Sequence, residues 1–164
     1  MKLNFAIFAA VVAVSAQAQV YDIAKSEPKD SRKEPAGALS NTVFPDNIRQ
    51  TICLSDWMEK VALKRDVAEK TKIQLMKERG IRDDQSNYIL DYLVPLELGG
   101  SATDHDNLWP MRISSQTSKN IAVEAARKYV CQLDKTPMNL DVAQGIFLGH
   151  HWQAFLASMK RYAD

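Results

Sequence analysis

The chain has 164 residues, enough for one domain, and 46% of them are apolar, so a real core can form. Its 21 basic and 20 acidic residues nearly cancel. Bulk charge therefore gives no support for a nucleic-acid partner, and any such case must rest on a local patch. There are no internal repeats and no glycine-rich phosphate loop.

The N-terminus comes first in the chain and carries its own signal. Met1-Lys2 supplies a positive start, Phe5 to Val14 is an uncharged apolar run, and Ala16-Gln17-Ala18 places small residues where a signal peptidase reads them. These parts in this order predict a secretory signal over residues 1–18 and a periplasmic or secreted product. The apolar run is too short to span a hydrocarbon layer of roughly 30 Å as a helix. No other stretch is apolar enough to hold the protein in a membrane after cleavage. Removing residues 1–18 takes away Lys2 and no acidic residue, which leaves the mature chain formally neutral.

Residues 19–47 are polar and punctuated by Pro28, Pro35, Gly37 and Pro45, with charges of both signs and no apolar period. That composition predicts a flexible leader. The folded domain is expected over residues 48–164. It begins with Ile48 to Val61, where Ile52, Cys53, Trp57 and Val61 are candidate buried anchors. Asp66 to Arg79 reads as an amphipathic helix with Val67, Ile73, Leu75 and Met76 inside and Gly80 as its stop. Lys60 to Arg82 holds eight basic residues against three acidic ones. It reads first as a solvated helix face and second as a nucleic-acid surface.

Tyr88 to Leu98 is rich in branched and aromatic residues and predicts a strand, which Pro95 confines to an edge or bends. Gly99-Gly100-Ser101 turns the chain, Asp104 to Asn107 forms a polar loop, and Leu108-Trp109-Pro110 returns as a second strand. Ser114 to Leu133 predicts a helix with Ile121, Ala125, Tyr129 and Val130 inward and Thr117 or Ser118 as a cap. Asn139 to Tyr162 predicts one further helix or two, carrying Val142, Ile146, Phe147, Trp152 and Phe155. His150 and His151 fall on different faces there and make no metal pair.

Cys53 and Cys131 both lie in the expected mature domain. An exported chain with an even cysteine count favours a disulfide over free thiols. Two thiols with no histidine nearby in sequence make a poor zinc site. The bridge would close a long loop, worth about 4–5 kcal/mol on the chain-entropy account.

The chemistry concentrates in Asp91-Tyr92-Leu93-Val94-Pro95-Leu96-Glu97-Leu98-Gly99-Gly100, followed by Asn107-Leu108-Trp109-Pro110 and Lys119-Asn120. With Ile52-Cys53 and Trp57 before them and Val130-Cys131 after, this ordered set resembles the HNH branch of the ββα-metal nucleases. It is closer still to small exported HNH-like proteins. The likeness covers about Thr51 to Trp152. It implies an α+β fold, a ββα-metal core embedded in several helices, and hydrolysis of phosphodiester bonds in DNA or RNA.

The resemblance also implies roles. Asp91 and Asn120 match ligands of one divalent cation, magnesium first, with manganese or zinc as alternatives; such an ion takes oxygen ligands and polarises the scissile phosphate. Asn107 matches a loop asparagine that supports the ribbon, Glu124 one turn beyond Asn120 is a supporting or substitute ligand, and Lys119 is placed to meet phosphates. The pattern departs at its centre. The family has histidine after the aspartate as general base, and here that position is Tyr92. A phenol near pKa 10 is about a thousandfold less available as a base at neutral pH, and losing a general base typically costs 10²–10⁴-fold. His105 is the substitute that lies nearest in sequence. Two readings follow: an exported metal-dependent nuclease with weak or lost activity, or a catalytically inactive relative that serves as a binding module, its protein partner unidentified.

Overall fold

A computed structural model describes residues 35–132 and 138–161 of the protein. The expected signal and the first part of the leader, residues 1–34, lie outside the described residues. Among those described, the fold is mixed α+β, with one two-stranded antiparallel sheet among five α-helices and short 3₁₀ turns. In chain order these are α1 (Trp57–Val61), α2 (Arg65–Glu78), β1 (Tyr88–Tyr92), β2 (Leu108–Arg112), α3 (Ile113–Cys131), α4 (Leu140–Leu148) and α5 (Trp152–Arg161). None of these helices is long and apolar enough to cross a membrane.

The part of the expected leader that is described, residues 35–47, is tied to the domain. Leu39 forms a bridge with Gly100. The Gly37 N–H donates to Asp106 O at 2.8 Å, Ser40 N–H to Gly99 O at 2.8 Å, and Ser101 N–H to Ala38 O at 2.9 Å. Val43 is buried in the core. Backbone pairing of this kind leaves no trace in composition, which is why the segment reads as unstructured from its residues.

The helix α2 contains no glycine or proline, and Gly80 ends it. Gly80 takes φ +65°, a conformation glycine adopts without penalty. The Ile81 N–H then reaches back to Met76 O at 2.8 Å, closing the helix end as C-terminal glycines do. Leu75 and Met76 are buried as expected, but Val67 and Ile73 are exposed, and Lys72 takes their place inside. The reason is polar. The Lys72 ammonium donates to Gln85 O and Tyr88 O, both at 3.1 Å, and pairs with Glu69. Arg79 donates to Leu108 O at 2.8 Å. These bonds to the ribbon select the inward face of α2.

The ribbon pairs Tyr88 with Arg112, Asp91 with Trp109 and Tyr92 with Leu108. Strand β1 stops at Tyr92, short of the expected Leu98. Pro95 has no N–H to give a ladder, and the chain winds instead into a 3₁₀ turn over Leu96–Leu98. Helix α3 follows β2 without a loop, so Thr117 and Ser118 are interior to it and cap nothing. Its inner side is Lys119, Ala122, Val123, Ala126 and Val130. Ile121 and Tyr129, expected inside, are 49% and 42% exposed. The contacts of Lys119 at one end and Cys131 at the other fix the rotation of the helix, and they override the larger apolar side chains.

The C-terminal region is two helices. Between them Gly149, His150 and His151 form the turn, with His150 at φ 55°. Phe147 and Trp152 enter the core, Ile146 and Phe155 pack at its margin, and Val142 is exposed. That core gathers Ile52, Trp57 and Leu98 with the inner faces of α3 and α4. Cys53 and Cys131 form the disulfide, with Cα atoms 5.7 Å apart.

Candidate functional site

The turn from Leu93 to Ser101 contains Pro95-Leu96-Glu97-Leu98-Gly99-Gly100, and its backbone is held by side chains from elsewhere. Asn107 is fully buried. Its Oδ1 accepts from the Val94 N–H at 2.8 Å, while its Nδ2 donates to Val94 O at 3.0 Å and Ser101 O at 2.8 Å. Trp57 Nε1 donates to Leu96 O and Gln144 Nε2 to Leu98 O, each at 2.9 Å. Gly100 permits the close approach this needs, since a Cβ there would lie 1.9 Å from Val94 O. A loop with few ladder bonds becomes a rigid platform because its carbonyls and amides are claimed one by one. Asn107 thus ties the backbone at Val94 to that at Ser101.

Asp91 sits one residue before the end of β1. Its Oδ2 accepts from Trp109 Nε1 at 2.9 Å, directly across the ribbon. The same oxygen takes the Lys119 ammonium, which also donates to Tyr92 O at 2.6 Å. The Lys119 side chain is 2% exposed and that of Asp91 17%. Lys119 is therefore turned inward and is not presented to a polyanion in solution. Asn120 is exposed. Successive helical residues differ by about 100° in direction, so the rotation that brings Lys119 onto Asp91 carries Asn120 off that line. Glu124 is exposed on the outer side of α3. His105 lies on a 3₁₀ turn with Nε2 3.2 Å from Glu78 Oε2, so its partner is the end of α2. Of the expected site residues, the fold joins Asp91, Lys119 and the Tyr92 backbone. Asn120, Glu124 and His105 are not among the partners of Asp91.

Composition of the site decides how a divalent ion would fit. Among the described residues no group of three or more His, Cys, Asp or Glu side chains is placed to hold a metal. That alone would not matter to an ion that keeps most of its waters. The ammonium does. It sits on Asp91 Oδ2, and a doubly charged ion about 4 Å from it would be repelled by about 8 kcal/mol at an effective dielectric of 20. The residues as arranged do not fit the ion.

Tyr92 ends the strand. Burial pushes its phenol above its usual range, and the charges of Asp91 and Glu97 push the same way, against a hydrogen bond from the Leu63 backbone. The phenol therefore keeps its proton near neutrality.

Glu97 is a site residue that the sequence reading passed over. It lies in the 3₁₀ turn between buried Leu96 and Leu98. Burial pushes its carboxyl up; the Asp91 charge adds to this, while a backbone hydrogen bond and the Arg127 and Lys119 cations oppose it. An acidic residue inside a run of leucines was the available signal. Because folding raises this pKa, stability should fall as pH rises from about 4.5, the ordinary glutamate value, through the raised one. Glu97→Gln should accordingly melt higher than wild type at neutral pH, with the difference vanishing near pH 4. A loss of stability at neutral pH would show that the Arg127 and Lys119 attractions dominate.

A shallow depression lined by Ser86, Asn87, Arg112, Ile113 and Ser114 lies at the opposite end of the ribbon. It takes no part in the Asp91 cluster. Compared with known proteins, the chain matches no protein family, no curated protein and no solved structure.

Proposed function

We propose that this chain is an exported protein on the HNH nuclease plan that has lost phosphodiester cleavage and acts as a binding module in the periplasm or outside the cell. The ordered motif, the ribbon followed at once by a helix, and Asp91 near the end of the first strand support the plan. The signal-like residues 1–18 and the Cys53–Cys131 disulfide support export. The observation that carries the loss of cleavage is Tyr92, a half-buried phenol beside two carboxylates. An attacking water needs a group that accepts its proton near neutral pH, and this one holds its own.

The experiment is to install the missing base. Tyr92→His, assayed on supercoiled plasmid and single-stranded RNA with Mg²⁺ or Mn²⁺, should cleave no faster than buffer, because Lys119 still occupies Asp91. Gain of metal-dependent cleavage in that variant would show an intact metal site and overturn the reading. For binding, the exposed cations Lys64, Arg65, Lys70, Lys77 and Arg82 around α2 make nucleic acid the first partner to try. Such binding would weaken steeply with salt.

A further inference from the structure

We propose that Lys119 is the resident cation of this site. Its ammonium stands in for the metal that a nuclease of this plan would carry, and keeps a latent divalent-cation site closed. The inference rests on the HNH-like reading, because only that plan gives Asp91 a metal to lose.

The position is built for a cation. Asp91 Oδ2 and the Tyr92 carbonyl converge on one ammonium. Trp109 Nε1 steadies the carboxylate from across the ribbon, and the Trp109 ring lies 5.9 Å from the same ammonium. Glu97 places a further carboxyl group within electrostatic reach of Asp91 and Lys119. Carboxylate and carbonyl oxygens are the ligands that hard divalent ions choose. A lysine ammonium has the same preference for oxygen, but brings one charge and a covalent tether. The tether makes the cation permanent, so folding does not depend on metal supply. Lys119 is also a large, fully buried side chain, so truncating it leaves both oxygens and room beside them.

The test compares the full chain, disulfide intact, as wild type, Lys119→Ala and Lys119→Gln, in EDTA and with Mg²⁺ or Mn²⁺. Wild type should melt at the same temperature in every condition. Both variants should melt lower than wild type in EDTA and recover several degrees with Mn²⁺, by mass action on the folded state. Should Lys119→Ala fail to fold in EDTA, Lys119→Gln, which keeps most of the volume, carries the measurement. It should bind Mn²⁺ at least about tenfold more tightly than wild type, and adding Asp91→Asn should abolish that gain. Variants indifferent to either ion would overturn the proposal. So would a wild-type response to Mn²⁺ that Asp91→Asn removes. Plasmid cleavage by the wild type is a separate outcome: it would overturn the loss of catalysis, whereas ion response of the Lys119 variants decides the present inference.

Discussion

Replacing Cys53 and Cys131 by serine is expected to cost about 4–5 kcal/mol of stability, a large share of what a domain of this size has to lose. The bridge spans 78 positions and joins the end of α3 to the segment before α1. Its absence restores to the unfolded chain the freedom that the crosslink removes. The native contacts there do not vanish with it. Arg127 still donates to Ile52 O and Leu54 O, both at 2.8 Å, and Ile52 stays fully buried. The variant should therefore fold to the same structure with a lower midpoint. Denaturant unfolding of the oxidised and doubly substituted chains checks this, and a difference below about 1 kcal/mol would assign the crosslink a minor role.

Asn107→Ala should cost about 3–5 kcal/mol, since one truncation leaves the Val94 N–H, the Val94 carbonyl and the Ser101 carbonyl without their partner. Each buried group left unsatisfied costs about 1–3 kcal/mol. The loss should be local before it is global. Amide exchange at Val94 should accelerate more than at Leu75 in the interior of α2. Asn107→Asp should be nearly as harmful, because a carboxylate replaces the two-proton donor facing those carbonyls. Wild-type exchange at Val94 in Asn107→Ala would mean that the turn is held by Trp57 and Gln144 alone.

The features legible in the sequence were those set by local chemistry. Pro95 and the Gly99-Gly100 pair announce a bent chain after β1, Gly80 announces the end of α2, and a pair of cysteines behind an expected export signal announces a bridge. The rotation of a helix about its axis is another matter. On α3 the bulky Ile121 and Tyr129 suggested one inner face, and the contacts of Lys119 and Cys131 imposed another. That choice depends on partners more than twenty residues away, Asp91 and Cys53, which no local period encodes. The same rotation decided the site. It put Lys119 where Asn120 was expected and left Asn120 in solvent. Glu97 escaped notice because its importance comes from the company of Asp91, Lys119 and Arg127, assembled only when the turn packs against α3.

The 35–47 segment teaches the same lesson from the backbone side. Its pairing with Gly99, Ser101 and Asp106 uses main-chain groups that every residue carries. The prolines and polar residues of the segment hid an ordered strap that closes over the 93–101 turn.

The proposed loss of chemistry means that the Asp91 end of the ribbon does not support metal-dependent cleavage. Incubating the disulfide-intact wild type and Asp91→Ala with supercoiled plasmid and single-stranded RNA, in Mg²⁺, Mn²⁺ and EDTA, tests it most directly. Both proteins should leave both substrates intact in every condition, while Asp91→Ala should melt lower because Lys119 has lost its buried partner. Cleavage by the wild type that requires the ion and disappears in Asp91→Ala would contradict it.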